Sequence, residues 1–147
     1  MPKKAMVLAA GLGTRLRPLT DTLPKPLVQV DGTTLIDHAI DRLESAGVRE
    51  VVVNTHYLAD QLEDHLGNRK APDIRFSRET DLLDTGGGVA NALSHFEEEP
   101  FFVINADVMW LNGPSSALRR LAAAWDDDTM DALLLLHSTV DAYGYRG

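Results

Sequence analysis

The sequence predicts an α/β fold built on a doubly wound, mostly parallel, Rossmann-like sheet. Two observations carry that prediction: five short apolar runs alternate with stretches of helical periodicity, and several runs end on glycine, asparagine or aspartate. Short continuous apolar runs are typical of strands buried on both faces, and their alternation with helices is typical of a parallel sheet. Ligands bind such sheets beyond the carboxyl ends of the strands, where the strand order reverses.

The first half of the chain contains two predicted strands and two predicted helices. A strand is predicted at 5–10, an apolar run ended by Gly11, and the prolines of the long connection that follows exclude a helix interior. The helix predicted at 34–47 has apolar residues on one face, a capping box at its start and a glycine at its end. A second strand is predicted at 50–55, and a second helix at 58–67 repeats leucine every four residues.

The second half continues the alternation. The strand predicted at 73–77 alternates in polarity, as a strand covered on one face does. A helix is predicted at 88–96, and the apolar strand at 100–107 ends on Asn-Ala-Asp. Serines begin the helix predicted at 115–125, and the leucine run at 130–136 predicts a fifth strand. At this length, residues 1–147 are expected to form one domain.

Composition limits the classes of protein that the chain can belong to. Its formal net charge of −8 leaves no basic excess for a phosphate backbone, so no nucleic-acid partner is expected. The absence of cysteine excludes disulfides and thiolate zinc sites and fits a cytoplasmic location. No apolar run has the length of a membrane span or a signal-peptide core, so no membrane partner is expected either. The oligomeric state stays open.

The glycine loop, residues 11–16 after the first predicted strand, has the chemistry of a phosphate site. Gly11 and Gly13 allow backbone N–H groups to approach a phosphate closely, while Arg15 and Lys25 add two cations in a proline-stiffened connection. The loop is neither a dinucleotide fingerprint nor a P-loop. A surface turn with solvated cations would explain the two glycines alone, but glycines and cations together after a buried strand favour a triphosphate site.

Two further strand ends are expected near the glycine loop. Asp107 follows the fourth predicted strand, and a carboxylate there can hold Mg²⁺, which needs only one or two protein carboxylates besides phosphate oxygens and water. A turn-capping aspartate is the alternative. Glycines 86–88 follow the third strand and suit the close approach of a base or ribose, or simply a flexible loop. The five histidines show no metal-ligand spacing.

The stretch LAAGLGTRLRPLTDTLPKPL, residues 8–27, resembles the signature of the sugar-1-phosphate nucleotidyltransferases. The DTGGG stretch, the strand that ends in NAD and the order of elements across the chain agree with it, which implies a fold of the nucleotide-diphospho-sugar transferase type. Within that family, VVVNTHYLADQLEDHL and DTGGGVANAL resemble most the bacterial enzymes that uridylylate N-acetylmuramic acid 1-phosphate in cell-wall recycling. They also resemble short mannose-1-phosphate guanylyltransferases, and the choice between the two stays open.

The resemblance implies partners, a cofactor and residue roles. The partners are a nucleoside triphosphate, UTP or GTP, and a sugar 1-phosphate, and the cofactor is Mg²⁺, held by Asp107. Arg15 would bind the departing pyrophosphate and Lys25 would contact the phosphates at the reacting centre, which makes these two the predicted catalytic residues. The predicted nucleotide-binding set is Leu8, Ala10, Gly11, Gly13, Thr14, Arg15, Lys25, Asn54, Gly87 and Asp107.

Members of this family continue well beyond the length of this sequence. We therefore expect a complete nucleotide-binding half and a C-terminally truncated sugar-binding half, and Asp141 is not assigned as a second metal ligand. Two other classes compete with the enzyme: a non-catalytic nucleotide-binding regulatory module and a Rossmann-type oxidoreductase domain. Leu16, at the third glycine position of a dinucleotide fingerprint, and the arginine- and proline-rich connection count against the oxidoreductase.

Overall fold

A computed structural model of the chain describes residues 1–136. Residues 2–111 form one compact unit, and the described residues 112–136, with Met1, belong to another. The elements in chain order are β1 Lys4–Leu8, β2 Gln29–Val30, β3 Thr33–Thr34, α1 Leu35–Ala46, β4 Glu50–Thr55, α2 Ala59–Leu66, β5 Asp73–Arg78, α3 Asp84–Ala92, β6 Phe102–Asn105 and α4 Ala117–Ala123. Short 3-10 helices lie at Thr14–Leu16, Leu19–Asp21, Lys25–Leu27 and Leu93–His95.

Four strands of the first unit form a parallel sheet in the order β5-β4-β1-β6. In its register, Leu8 at the end of β1 lies opposite Asn54 of β4 on one side and Asn105 of β6 on the other. The strand order reverses at β1, because the chain continues to β4 on one side and reaches β6 on the other only later. The predicted parallel α/β sheet is thus confirmed, with its reversal point next to the glycine loop.

The two central strands of the sheet, β1 and β4, are buried on both faces. Met6 of β1 and Val52 of β4 are fully buried with Phe96 in one apolar cluster. Successive side chains of a strand point to opposite faces, so Val7 and Val53 lie on the other face, and they are also fully buried. Helix α1 contacts β1, and α2 contacts β4 and β5. This double burial explains why β1 and β4 appear in the sequence as continuous apolar runs.

Helix α1 forms for the reasons that its sequence predicts. The Thr34 hydroxyl accepts a hydrogen bond from the backbone N–H of Asp37 at 3.2 Å, which caps the first turn. The helix ends at Gly47, whose φ of 102° is a left-handed conformation that favours glycine. No helix within residues 1–136 is both long and apolar enough to cross a membrane.

Two predicted elements differ from the structure. Residues 130–136 form no strand, and the described residues of their own unit, 112–136, hold no other strand that could take up their backbone hydrogen bonds. The helix predicted at 88–96 begins earlier, at Asp84, and tightens into a 3-10 turn at Leu93–His95. The three glycines therefore lie inside α3 and not in a loop before it. That one domain spans residues 1–147 stays a prediction.

Candidate functional site

A cavity of about 450 Å³ lies at the carboxyl edge of the sheet, where the strand order reverses. Its walls are residues 8–16 from the end of β1 onward, Lys25 with Pro26, Asn54 near the end of β4, three residues around the start of α3, and residues 105–107 from the end of β6 onward. Elements distant in sequence meet here because the carboxyl ends of parallel strands share one edge. The position agrees with the ligand crevice expected of this topology.

The cavity brings together nine of the ten residues in the predicted nucleotide-binding set, namely Leu8, Ala10, Gly11, Gly13, Thr14, Arg15, Lys25, Asn54 and Asp107. Gly87 is the exception, because it is not a lining residue. A Cβ atom at Gly87 would lie 2.9 Å from the Cβ of Leu83, so this glycine allows close packing within its own segment. Leu82, Asp84 and Thr85 line that side of the cavity instead.

Gly13 allows the glycine loop to fold back on the segment that follows it. Its φ is 62°, and a Cβ atom there would lie 3.0 Å from Cγ2 of Thr20 and 3.1 Å from Cβ of Lys25. Both the left-handed backbone conformation and the tight contacts disfavour a larger residue. Gly11, by contrast, has no atom within 4 Å of the corresponding position, which leaves its side of the loop open to a ligand.

Side-chain hydrogen bonds help to hold the connection from residue 17 to 27 in place. The buried hydroxyl of Thr20 donates to the carbonyl of Gly13 at 2.7 Å. The hydroxyl of Tyr57 donates to the carbonyl of Thr20 at 2.9 Å, and the side-chain amide of Gln61 donates to the carbonyl of Thr22 at 3.1 Å. These contacts fix a long loop that carries Lys25 to the cavity, as a functional loop requires.

Lys25 and Asp107 face each other across the cavity. The Lys25 ammonium forms an ion pair with the Asp107 carboxylate, and their side chains are 25% and 33% exposed. Arg15 is exposed on the same cavity wall and makes no ion pair within residues 1–136. The predicted cations and carboxylate therefore converge on one cavity, and the Arg15 guanidinium is available to an anionic ligand.

Sequence reasoning missed Glu79, the residue after β5. Glu79 is only 4% exposed, and Asn54 beside it is 3% exposed. The Asn54 amide donates to Oε1 of Glu79 at 2.8 Å, and its oxygen accepts from the backbone N–H of Ala9 at 2.7 Å. In the sequence, Glu79 is surrounded by polar residues typical of an exposed turn. Only its position directly after a predicted strand could have indicated that it lies near the site.

Two carboxylates, Asp84 and Asp107, line the cavity. Within residues 1–136 no group of three or more histidine, cysteine, aspartate or glutamate side chains is arranged to hold a metal by itself. A single aspartate or a pair suits Mg²⁺, which completes its six ligands with water and phosphate oxygens. The donor set therefore fits a magnesium ion that arrives with a phosphorylated ligand and does not fit a closed metal centre.

The fold defines a doubly wound α/β protein, and its cavity at the carboxyl edge of the sheet combines a glycine loop at a strand end with the side chains of Arg15, Lys25 and Asp107. The chain belongs to the nucleotidyl transferase family, whose model matches residues 4–146. This match confirms the family that the signature predicted, and it counts against the oxidoreductase alternative.

Relatives support the same family. The N-acetylmuramate alpha-1-phosphate uridylyltransferase of Caulobacter vibrioides is 50% identical over 150 residues, which cover 99% of this chain and 62% of the relative. The mannose-1-phosphate guanylyltransferase catalytic subunit beta of Drosophila pseudoobscura is 40% identical over 111 residues, covering 72% and 30% of the two chains. A crystal structure of UDP-glucose pyrophosphorylase complexed with UDP-glucose matches with a TM-score of 0.71 at 25% identity, covering 84% and 52%. This chain thus spans less than two thirds of each protein.

Proposed function

We propose that the protein is a sugar-1-phosphate nucleotidyltransferase that makes a nucleotide sugar and pyrophosphate from a nucleoside triphosphate and a sugar 1-phosphate. The observation that carries the proposal is the convergence of Arg15, Lys25 and Asp107 on one cavity beside the glycine loop. UTP and N-acetylmuramic acid 1-phosphate are the proposed substrates, because the relative with 50% identity is named for that reaction.

In the proposed reaction, an oxygen of the sugar 1-phosphate attacks the α-phosphorus of the nucleoside triphosphate. The bond from that phosphorus to the bridging oxygen of the β-phosphate breaks, and pyrophosphate leaves with this oxygen. The attacking phosphate is already ionised near pH 7, so no general base is required. Arg15 offsets the charge that grows on the leaving pyrophosphate, and Lys25 holds the phosphates at the reacting centre.

Mg²⁺ is the proposed cofactor, and Asp107 is its proposed protein ligand. The fit comes from the cavity's donor chemistry, since one or two carboxylates and room for phosphate oxygens are what this ion uses. When bound, the ion neutralises charge on the phosphates. The chain's own contribution is to fix the carboxylate at the cavity, where the Lys25 ammonium now holds it. A cytoplasmic location stays a prediction.

Titration calorimetry of the 147-residue chain with UTP, GTP, CTP and dTTP, each with Mg²⁺, tests the nucleotide half of the proposal. We expect saturable binding that is tightest for UTP, and no binding of any of the four would contradict the proposal. A pyrophosphate-release assay on the full translated protein then crosses the four nucleotides with N-acetylmuramic acid 1-phosphate, mannose 1-phosphate and glucose 1-phosphate. The greatest release is expected with UTP and N-acetylmuramic acid 1-phosphate.

A guanylyltransferase acting on mannose 1-phosphate is the second candidate, because a relative with 40% identity is named for that reaction. It would show as a preference for GTP and mannose 1-phosphate in the same assay. A non-catalytic regulatory module would bind nucleotide but release no pyrophosphate from any pair. The presence of Arg15, Lys25 and Asp107 together at the cavity favours catalysis over this third alternative.

A further inference from the structure

Glu79 is a buried carboxylate that the proposed reaction does not use. It follows β5, is 4% exposed, and forms no ion pair with a lysine or arginine within residues 1–136. Burying an ionised carboxylate is unfavourable unless hydrogen bonds compensate for the lost water. Glu79 receives two such bonds, from the side-chain amide of Asn54 at 2.8 Å and from the backbone N–H of Leu83 at 3.1 Å.

The Glu79 carboxylate fixes the orientation of the Asn54 amide. An ionised carboxylate only accepts hydrogen bonds, so the NH₂ group of Asn54 faces Glu79 and its oxygen faces the other way. That oxygen accepts from the backbone N–H of Ala9 at 2.7 Å. Backbone pairing between β1 and β4 ends with Leu8 opposite Asn54, so this side chain continues the pairing by one residue. Ala9 leads directly into the glycine loop.

The second oxygen of Glu79 contacts the segment before α3, which forms another wall of the cavity. It accepts from the N–H of Leu83, the residue before α3, and the next two residues, Asp84 and Thr85, line the cavity. One buried carboxylate thus connects the segment after β1 with the segment before α3. Both segments form walls of the same site.

Gly88 allows α3 to cover this connection. A Cβ atom at Gly88 would lie 2.8 Å from both Nδ2 of Asn54 and Oε1 of Glu79, closer than real Cβ contacts come. Glycine in a helix interior destabilises the helix by about 1 kcal/mol relative to alanine, and at Gly88 the crowding supplies a packing reason for this cost. Gly86, two residues earlier, has no atom within 4 Å of the same position.

From these contacts we infer that Glu79 is a positioning residue for the nucleotide cavity: through Asn54 it fixes Ala9 and the glycine loop, and through Leu83 it fixes the start of α3. The expected effect of Glu79 on nucleotide affinity rests on the proposed function. The structural part of the inference, the fixed N–H groups of Ala9 and Leu83, can be measured without any nucleotide.

The experiment compares Glu79→Gln with Glu63→Gln in the 147-residue chain. A glutamine at 79 offers one acceptor for two donors, so one of them loses its partner. Glu63 of α2 is the matched control. Its carboxylate accepts a hydrogen bond at 2.7 Å from the hydroxyl of Thr55, the residue after Asn54 in β4, and Glu63 does not line the cavity. We expect amide exchange, measured by NMR, to accelerate about tenfold or more in Glu79→Gln at Ala9 or at Leu83, according to which side the glutamine oxygen still serves, and to stay unchanged at both residues in Glu63→Gln. Unchanged exchange at both Ala9 and Leu83 in folded Glu79→Gln, or equal acceleration in both variants, overturns the inference.

Calorimetry then measures how the loss of this carboxylate changes nucleotide affinity. We expect the Kd for UTP with Mg²⁺ to rise about tenfold in Glu79→Gln and to stay at the unmodified value in Glu63→Gln. If the unmodified chain binds none of the four nucleotides, the proposed function fails, while the exchange rates at Ala9 and Leu83 still decide the positioning role. An unchanged Kd despite faster exchange at either residue would overturn the link to the cavity.

If Glu79→Gln does not fold, a measurement on the unmodified chain tests whether Glu79 holds the Asn54 amide. The side-chain NH₂ protons of Asn54 should exchange with water much more slowly than those of Asn68, which is exposed and donates to the carbonyl of Asp64 at 3.1 Å. Equal exchange of the two side chains would show that Asn54 is not held by a buried carboxylate, and the inference would be wrong.

Discussion

Lys25 and Asp107, 82 positions apart in the sequence, form an ion pair across the cavity at the carboxyl edge of the sheet. Lys25 reaches this place at the end of a long loop, and Asp107 reaches it two residues after β6. The pair shows that the predicted phosphate-binding cation and the predicted metal ligand share one site. Had they lain on opposite edges, no single ligand could have contacted both.

The first prediction concerns Asp107. In the full protein, Asp107→Ala should lower turnover on the order of 100- to 1000-fold, because the phosphates lose the charge neutralisation that this carboxylate organises. The measurement is pyrophosphate release, with a thermal melt to show that the variant folds. Asp60→Ala is the control, since Asp60 is exposed and pairs with Arg78 away from the cavity. Full activity in folded Asp107→Ala would remove the metal assignment.

The second prediction separates two arginines of the same motif. Arg15 lines the cavity, whereas Arg17 does not and pairs with Asp21 at 3.3 Å. Arg15→Ala should reduce pyrophosphate release on the order of 100- to 1000-fold, because the growing charge on the leaving group loses its partner. Arg17→Ala should keep near-normal turnover. Equal losses of turnover in the two variants would contradict this prediction. They would mean that Arg15 and Arg17 act only through their long-range positive charge and that Arg15 makes no direct contact with the leaving group.

The sequence predicted the part of the site that follows from strand order. Parallel strands present their carboxyl ends at one edge, so Arg15 after β1 and Asp107 after β6 had to meet there once both runs were identified as strands. The glycine loop was identified by its own composition, since glycines and cations after an apolar run need no knowledge of distant contacts.

Other features depend on what packs against them, and these the sequence could not predict. Glu79 is buried where α3 passes close to it at Gly88, a contact between segments that no local pattern encodes. The leucine run at 130–136 has the composition of a strand, but a strand also requires a partner. Gly87 and Gly88, two of the three glycines that suggested a base-binding segment, lie inside α3 at positions where a Cβ atom would crowd neighbouring side chains.

The third prediction separates backbone strain from crowding at two glycines. Gly13 and Gly32 both have left-handed φ values, 62° and 76°, but only Gly13 has neighbours where a Cβ would lie. Alanine at either position should lower the free energy of unfolding by about 1 kcal/mol from strain. Gly13→Ala should in addition weaken UTP binding several-fold, because its Cβ would displace Thr20 and Lys25.

Urea denaturation and UTP calorimetry on the two alanine variants provide the measurements. Gly32→Ala is expected to lose stability and to keep the nucleotide affinity of the unmodified chain. If Gly13→Ala binds UTP as tightly as the unmodified chain does, the close approach of the glycine loop to Lys25 is not needed for the site.

The fourth prediction concerns the pH dependence of stability at Asp37. Burial raises the pKa of this carboxyl group, but hydrogen bonds from Thr34, His65 and Arg69 outweigh burial and hold the pKa below its usual value. The His65 ring lies 2.7 Å and the Arg69 guanidinium 2.8 Å from the carboxylate. A lowered pKa in the folded state stabilises the protein above the unfolded pKa of about 3.9, and this stabilisation is lost as the pH falls through the folded value.

Asp37→Asn should therefore lower the urea midpoint at pH 7. The difference from the unmodified chain should shrink as the pH falls below about 4, because the carboxyl group of the unfolded state takes up a proton there while the native carboxylate, with its lower pKa, is still ionised. Asp41→Asn is the control: Asp41 contacts the same Arg69 at 2.6 Å but is 57% exposed, so its loss should change the midpoint much less. Denaturation curves at pH 7, 5 and 3.5 supply the comparison. A difference between Asp37→Asn and the unmodified chain that stays constant over this range would contradict the prediction. It would show that the charge of the Asp37 carboxylate contributes nothing to stability and that only its neutral hydrogen bonds do.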